Sequence, residues 1–225
     1  MQNGSETEIP LPYEYPPAMR KIRDRNGIVT DLFEDRAPLG SLEPVGTDSG
    51  SLTVRRHMGG GVYRYIHSAV DPQREAGVWA DCQSVHSDTA VILGCGLGYH
   101  ALEFARRYRH IRQVYLVEAD EQLFRLALDA SGISAAIGDC NVHFLIGRDR
   151  VSVGRTLSDS LGSPFTYHLF LPATSLYPGF YASVIRNLDE RLRAVRLAAG
   201  GGRSCGRDDP FAAGVEKLMD VMKSA

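Results

Sequence analysis

The sequence lacks the features that mark secreted, membrane and zinc-binding proteins. Its four cysteines, Cys82, Cys95, Cys140 and Cys205, form no CxxC pair, so neither a disulfide framework nor a structural zinc site is predicted from them. No stretch approaches the ~18 continuous apolar residues of a membrane span, and Met1–Pro17 has no basic region followed by an apolar one. We therefore expect a cytoplasmic protein with no membrane partner and no metal ligands.

Charge of one sign is also missing. Among 225 residues the formal net charge is only -2, with acidic and basic side chains mixed throughout. Such a surface has no field that attracts nucleic acid, so the expected partner is a small molecule or another protein. The length suits one domain with a full hydrophobic core rather than two independent domains.

Turn-forming residues divide the chain into three regions. Prolines and an Asn-Gly turn predict irregular structure up to about residue 50. The short runs Ser51–Arg55 and Val62–Ile66 flank three glycines and predict a β-hairpin. We expect an irregular and hairpin region over 1–70, a Rossmann-like domain over 71–200, and a tail over 201–225 with a short amphipathic segment, Phe211–Met222.

Strands and helices are predicted to alternate along the central region. Asp71 and Pro72 are typical of a helix start, which predicts a helix to about Gln83. Further helices are predicted directly after the glycine-rich turn and over Glu121–Ala130 and Gly179–Ala198. Buried strands are predicted over Thr89–Leu93, Val114–Val117, Val142–Ile146 and Tyr167–Leu171. This alternation predicts an α/β fold with a parallel sheet and flanking helices.

A glycine-rich turn follows the first of these strands. Gly94, Gly96 and Gly98 allow a sharp turn into a helix whose free amides can approach a ligand. Glu118 comes 20 residues after Gly98, at the predicted end of the next strand, where a carboxylate can bind both hydroxyls of a ribose. The combination predicts a site for a nucleoside-bearing ligand. In the alternative interpretation, the glycines only permit a tight turn and Glu118 is solvated.

Several polar residues are predicted near this turn. His67 and Ser68 follow the hairpin and either contact a ligand or serve local caps and turns. Tyr99 and His100 open the helix after the glycines, where His100 is either a general acid or base or a polar residue at a helix start. Asp139 is either near a bound adenine or a turn residue.

The GxGxG spacing resembles the S-adenosylmethionine-binding turn of class I methyltransferases. That resemblance implies an acid two residues before the first glycine, and this chain has Ile92 there. It also implies a fifth strand and an antiparallel pair after the fourth strand, which the sequence does not indicate. A methyltransferase is therefore the second hypothesis.

A compound motif is similar to the N-terminal domain of another family. His67-Ser68 with Asp71-Pro72 and Glu75-Ala76, followed by Gly94 to His100 and then Val117 to Asp120, resembles the Maf (motility accessory factor) proteins, which are related to an archaeal hydroxymethylpterin pyrophosphokinase family. The resemblance covers roughly residues 50–195. It implies a nucleotide or nucleotide-sugar ligand and an accessory part in bacterial flagellin or cell-surface glycosylation, with a protein partner.

Maf proteins continue into a larger domain thought to hold the transferase site, so the resemblance implies an accessory domain without that site. The sequence favours ligand binding over any named reaction, and no catalytic residue is predicted. A third hypothesis is a ligand-free scaffold that binds a protein through the hairpin or the last helix.

Overall fold

The computed structural model describes residues 42–130, 133, 141–147 and 149–198. The predictions for residues 1–41 and for the C-terminal tail, including Phe211–Met222, lie outside the described residues, as does Asp139. Cys140 and Cys205 lie outside them too.

A three-stranded antiparallel sheet comes first. The strands are β1 (Leu42–Gly46), β2 (Leu52–Gly59) and β3 (Val62–Tyr65), in the order β1-β2-β3. The predicted hairpin is confirmed as β2 and β3. Strand β1 lies where irregular structure was expected: it is an edge strand, and Pro44, paired with Val54, is tolerated at an edge because one side of the strand needs no ladder donor.

The main sheet is parallel and has the strand order β6-β5-β4-β7. Its strands and helices alternate along the chain, which confirms the predicted α/β fold. The strands are β4 (Thr89–Leu93), β5 (Gln113–Glu118), β6 (Asn141–Ile146) and β7 (Thr166–Leu169). The helices are α1 (Pro72–Asp81), α2 (Tyr99–Arg107), α3 (Glu121–Ala130), α4 (Arg150–Ser160), α5 (Leu171–Thr174) and α6 (Pro178–Ala198).

Two apolar clusters cover the two faces of this sheet. Val91 and Leu93 of β4 pack in one cluster with residues of α4 and α6. Ala90 and Ile92 pack in the other with residues of α2 and α3. Successive residues of a strand point to opposite faces, so a strand covered on both faces is apolar throughout.

A third cluster joins the two sheets. Leu42, Val54 and Ile66 from the antiparallel region pack with Leu97 of the glycine-rich turn and Phe170. The antiparallel sheet therefore lies beside the carboxyl edge of the parallel sheet.

The fourth strand is shorter than the sequence indicated. Its predicted range reached Leu171, but β7 ends at Leu169 and α5 begins at Leu171. Pro172 lies in the first turn of α5, where its missing amide hydrogen costs no hydrogen bond. The apolar run continues through Phe170 and Leu171 because these residues remain near the core, although the chain is no longer extended.

Candidate functional site

The glycine-rich turn has the backbone that its sequence implies. Gly94, Gly96 and Gly98 have φ values of +84°, +53° and +86°, which residues other than glycine rarely adopt. Gly98 is the residue immediately before α2. The turn therefore leads from the carboxyl end of β4 into a helix, as predicted.

Glu118 lies at the end of β5 and binds this turn directly. Its Oε2 accepts hydrogen bonds from the amides of Cys95 and Gly96 at 2.8 and 3.2 Å. Its Oε1 accepts from the amide of Asp120 at 2.9 Å and from the hydroxyl of Tyr181 at 3.1 Å. The carboxyl group is fully buried, so the interpretation of Glu118 as a solvated residue is wrong.

Two opposing effects act on the Glu118 proton. Burial disfavours the charged form, while the amides of Asp120, Cys95 and Gly96 favour it. Burial is the larger effect and raises the pKa of Glu118 to about 7. A buried carboxyl group that titrates near neutral pH at a strand end is typical of functional sites.

His67 is hydrogen-bonded to the next amide of the turn, that of Leu97. Its Nε2 accepts a hydrogen bond from the amide of Leu97 at 2.7 Å, and its ring is only 2% exposed. The amides of Cys95, Gly96 and Leu97, three in succession, thus have partners within the protein. These three amides are therefore not free in this conformation, and the free amides predicted from the sequence were those of the following helix, which begins at Tyr99.

The turn also needs glycine because other residues pack closely against it. A Cβ on Gly96 would meet the ring nitrogen Nε2 of His67, and would lie 2.9 Å from Cε1 of Phe170. A Cβ on Gly94 would lie 3.0 Å from the methyl group of Thr174. In this conformation the space beside the glycines is filled by the protein's own side chains.

His100 is buried and does not face water at the helix start. It is 1% exposed, and its ring stacks on Phe170 with 3.7 Å between centroids. The ring of His67 lies next to it, at 5.2 Å. Burial lowers the pKa of His100 to about 2, with a smaller contribution from His67, so its ring is neutral at physiological pH.

The remaining predicted residues have local roles. Ser68 accepts hydrogen bonds from the amides of Val70 and Asp71 at 3.2 and 3.1 Å, which is the cap-and-turn role. The hydroxyl of Tyr99 donates to the carbonyl of Leu52 at 3.0 Å and fixes α2 against β2. The structure thus brings together the glycines, Glu118, His67, Tyr99 and His100.

Three residues of this region were not predicted as site residues. Tyr181 donates to Glu118, Phe170 stacks on His100, and Glu75 lies beside His67. Glu75 had a signal in the sequence because it belongs to the compound motif that begins at His67, and Tyr181 belongs to Pro178-Gly179-Phe180-Tyr181, which also resembles the Maf N-terminal domain. Phe170 follows β7 and Tyr181 lies on α6, and both are near the site because β7 pairs with β4. The sequence does not reveal this strand order.

The fold and the site define the chain as an α/β protein with a Rossmann-like parallel sheet and a glycine-rich turn bound to a buried acid. No family model matches the chain, and no curated protein matches it. The resemblance to Maf proteins therefore rests on the sequence motifs alone. Within the described part of the chain, no helix has the length and apolar character to cross a membrane.

Proposed function

We propose that this protein binds a nucleoside-bearing ligand at the carboxyl edge of its parallel sheet, with Glu118 as the acceptor for ribose hydroxyls. The observation that carries the proposal is the contact between Glu118 and the amides of Cys95 and Gly96, which joins the acid and the glycine-rich turn in one unit. The contact lies at the carboxyl end of β4. From β4 the chain adds β5 and β6 on one side of the sheet and then crosses to add β7 on the other side, so the direction of the connections reverses at β4. Open α/β sheets bind ligands at such a reversal.

Ligand binding at this site requires an exchange of hydrogen bonds. The carboxyl group of Glu118 has four donors, and a buried carboxylate that loses donors without replacement is costly. A ribose supplies two hydroxyl donors, which replace the two turn amides. The released amides of Cys95 and Gly96 then become available to an acceptor on the ligand. An apolar ligand offers no such exchange.

The Maf-type motif favours a nucleotide or nucleotide-sugar over other nucleosides. On that basis we propose an accessory role in flagellin or cell-surface glycosylation, together with a partner protein. The methyltransferase alternative has less support, because Ile92 is fully buried in an apolar cluster and offers no carboxylate to the amine of a bound methionine.

A second candidate function is a protein-binding scaffold. It is favoured by the packing of His67 and Phe170 against Gly96, which explains the glycines without a ligand. The antiparallel sheet also exposes several large apolar side chains, between 39% and 62% exposed; such side chains are candidates for contact with a protein partner. These are Leu52, Met58, Val62, Tyr63 and Tyr65.

The experiment is a calorimetric and thermal-shift screen of the full chain. The ligands are ATP, CMP-sugars, UDP-sugars, S-adenosylmethionine and S-adenosylhomocysteine. Binding by one class should stabilise the protein by about 2.7 kcal/mol when the ligand is at a hundred times its dissociation constant. Glu118→Gln should abolish the binding, while Glu103→Gln, which alters an ion pair on α2, should not.

The outcomes separate the candidates. Binding of a nucleotide or nucleotide-sugar that is lost in Glu118→Gln supports the proposal. Binding that Glu118→Gln leaves unchanged contradicts the role of Glu118. No binding of any ligand at millimolar concentration contradicts both ligand-binding hypotheses and favours the scaffold.

A further inference from the structure

Two arginines of the antiparallel sheet lie on the face that packs against the glycine-rich turn. Arg56 of β2 pairs directly with Arg64 of β3, so their side chains lie on the same face of that sheet. Side chains alternate between the two faces along a strand, so this is also the face of Val54, two residues before Arg56. Val54 packs in the third apolar cluster with Leu97 of the turn. Both arginines therefore extend towards the carboxyl edge of the parallel sheet.

Contacts of the two side chains agree with this placement. Cζ of Arg56 lies 5.7 Å from the centroid of the Tyr177 ring. Nη1 of Arg64 donates to the hydroxyl oxygen of Ser175 at 3.5 Å. Ser175 and Tyr177 belong to the short segment between α5 and α6. The two guanidinium groups thus face the same segment, which follows the fourth strand of the parallel sheet.

Tyr177 connects this segment to the site around Glu118. The hydroxyl of Tyr177 donates to Oδ2 of Asp120, and the amide of Asp120 donates to Glu118 at 2.9 Å. Oδ1 of Asp120 accepts from two amides in the first turn of α3. Both carboxyl oxygens of Asp120 therefore have donors within the protein, and the arginines lie at the same edge of the sheet as the proposed ribose acceptor.

The positive charges of the arginine pair are not balanced by neighbouring acids. Within the part of the chain that the structure describes, neither guanidinium forms an ion pair, whereas Arg55, on the opposite face of β2, pairs with Glu43 at 2.8 Å. The β1 residue opposite Arg56 is Leu42, which carries no charge. Like charges directly opposite each other destabilise a sheet. An anion bound between the two guanidinium groups would remove that repulsion.

We propose that Arg56 and Arg64 bind the phosphate groups of the ligand, which makes the ligand a nucleoside diphosphate or an ester of one. Guanidinium groups bind phosphate oxygens through paired N–H donors, and two of them side by side suit two linked phosphates. Arg56 is half-buried and Arg64 is exposed, so a ligand can reach both. S-adenosylmethionine has no phosphate and carries a sulfonium cation, so it does not suit this pair. The inference rests on the proposed nucleoside site and specifies the class of its ligand.

The test is calorimetry of the full chain, without added divalent cations, using probes that separate the two parts of the ligand. Inorganic pyrophosphate carries the anion alone, and a nucleoside carries the base and ribose alone. Adenosine, cytidine, guanosine and uridine, each with its diphosphate, cover the bases. We expect saturable binding of pyrophosphate and of at least one diphosphate, with that diphosphate at least about tenfold tighter than its own nucleoside.

Variants assign the two parts of the ligand to the residues. Arg56→Gln and Arg64→Gln each remove a repulsion and should fold, and each should weaken binding of pyrophosphate and of the diphosphate at least about tenfold while leaving nucleoside affinity unchanged. Arg56→Lys keeps the charge without the planar donor fork and should retain part of the affinity. Arg55→Gln is the matched control, because it removes the same charge from the opposite face of β2, and should bind like the wild type.

Two results overturn the inference. One is the absence of saturable binding of pyrophosphate and of every diphosphate at millimolar concentration, even where a nucleoside binds. The other is diphosphate binding that Arg56→Gln and Arg64→Gln, each shown to be folded by circular dichroism, weaken no more than Arg55→Gln does. Failure of the proposed function looks different: pyrophosphate binding depends on the arginines, but the nucleoside adds no affinity and Glu118→Gln changes nothing.

Discussion

Glu118 should make the protein less stable as the pH rises through neutrality, and Glu118→Gln should remove this effect. The pKa of Glu118 is raised from 4.5 to about 7 in the folded protein by burial. The folded state therefore holds a proton that the unfolded state has lost between these two pH values. Since stability falls with pH wherever the folded state binds more protons, this residue favours folding most below pH 4.5 and least above pH 7.

The magnitude follows from the same interval. A difference from 4.5 to about 7 corresponds to roughly 3 kcal/mol, at 1.36 kcal/mol per pH unit. The free energy of unfolding of the wild type, minus that of Glu118→Gln, should therefore decrease by roughly this amount between pH 4.5 and pH 8. Glutamine does not titrate, and the other titrating groups contribute equally to both proteins and cancel in the difference.

The assay is urea unfolding of both proteins at several pH values from 4.5 to 8, followed by circular dichroism. Glu103→Gln serves as the control and should show no such trend against the wild type. A difference that increases with pH would refute the reasoning, because it would mean that the four donors around the carboxylate outweigh its burial. A flat difference would mean that the two effects balance.

Three further predictions concern residues around the same site. Burial lowers the pKa of His100 from 6.5 to about 2, so below pH 6.5 the unfolded state gains a proton that the folded state lacks. The stability of His100→Phe relative to wild type should therefore rise by about 2 kcal/mol between pH 6.5 and pH 5, and urea unfolding that shows no such rise contradicts the burial of a neutral ring. Gly96→Ala should lower the free energy of unfolding by more than about 3 kcal/mol, because its Cβ meets His67 and its φ is +53°. Gly77→Ala, which has open space around it in α1, should raise the free energy of unfolding by about 0.5–1 kcal/mol. Equal effects of the two substitutions in thermal melts would contradict this reasoning. Tyr181→Phe leaves the amide of Ala119 and one oxygen of Glu118 short of a partner and should cost about 1–3 kcal/mol in urea unfolding, and an unchanged midpoint would show that water replaces the hydroxyl.

The parallel sheet could be predicted because its strands carry strong local signals. The predicted range Thr89–Leu93 contains the apolar run Ala90–Leu93 and is followed by glycines, and β4 has these same bounds. Helix α1 begins at the predicted Pro72, and Asp71 caps it by accepting from the amide of Arg74 at 3.0 Å. Such signals depend on residues within a few positions of each other.

Elements with weak local signals were missed. Helix α4 has only Val153, Gly154 and Leu157 buried, among several serines and a glycine, so its sequence lacks a clear apolar stripe. Asp149 caps its start by accepting from the amides of Val151 and Ser152, but a single Asp is a weak signal because Asp is also frequent in turns. Strand β1 was missed because pairing with β2, rather than its own composition, makes it a strand.

The position of the site was predictable, and its burial was not. The spacing placed Glu118 at the end of a strand beside the glycines. The fact that its carboxyl group turns inward depends on Tyr181, 63 residues away along the chain. Likewise, the burial of His100 depends on Phe170 and Trp79, which reach it only through tertiary packing.

The hydrogen bonds that shape the glycine-rich turn have a consequence for the order of folding. His67 comes 30 residues before Leu97, and Glu118 comes 23 residues after Cys95. Contacts between distant residues require loop closure and form more slowly than the turns of a helix. The turn should therefore reach its final shape late in folding, after α1 and α2 have formed, and a partly folded chain would present the same three amides to water.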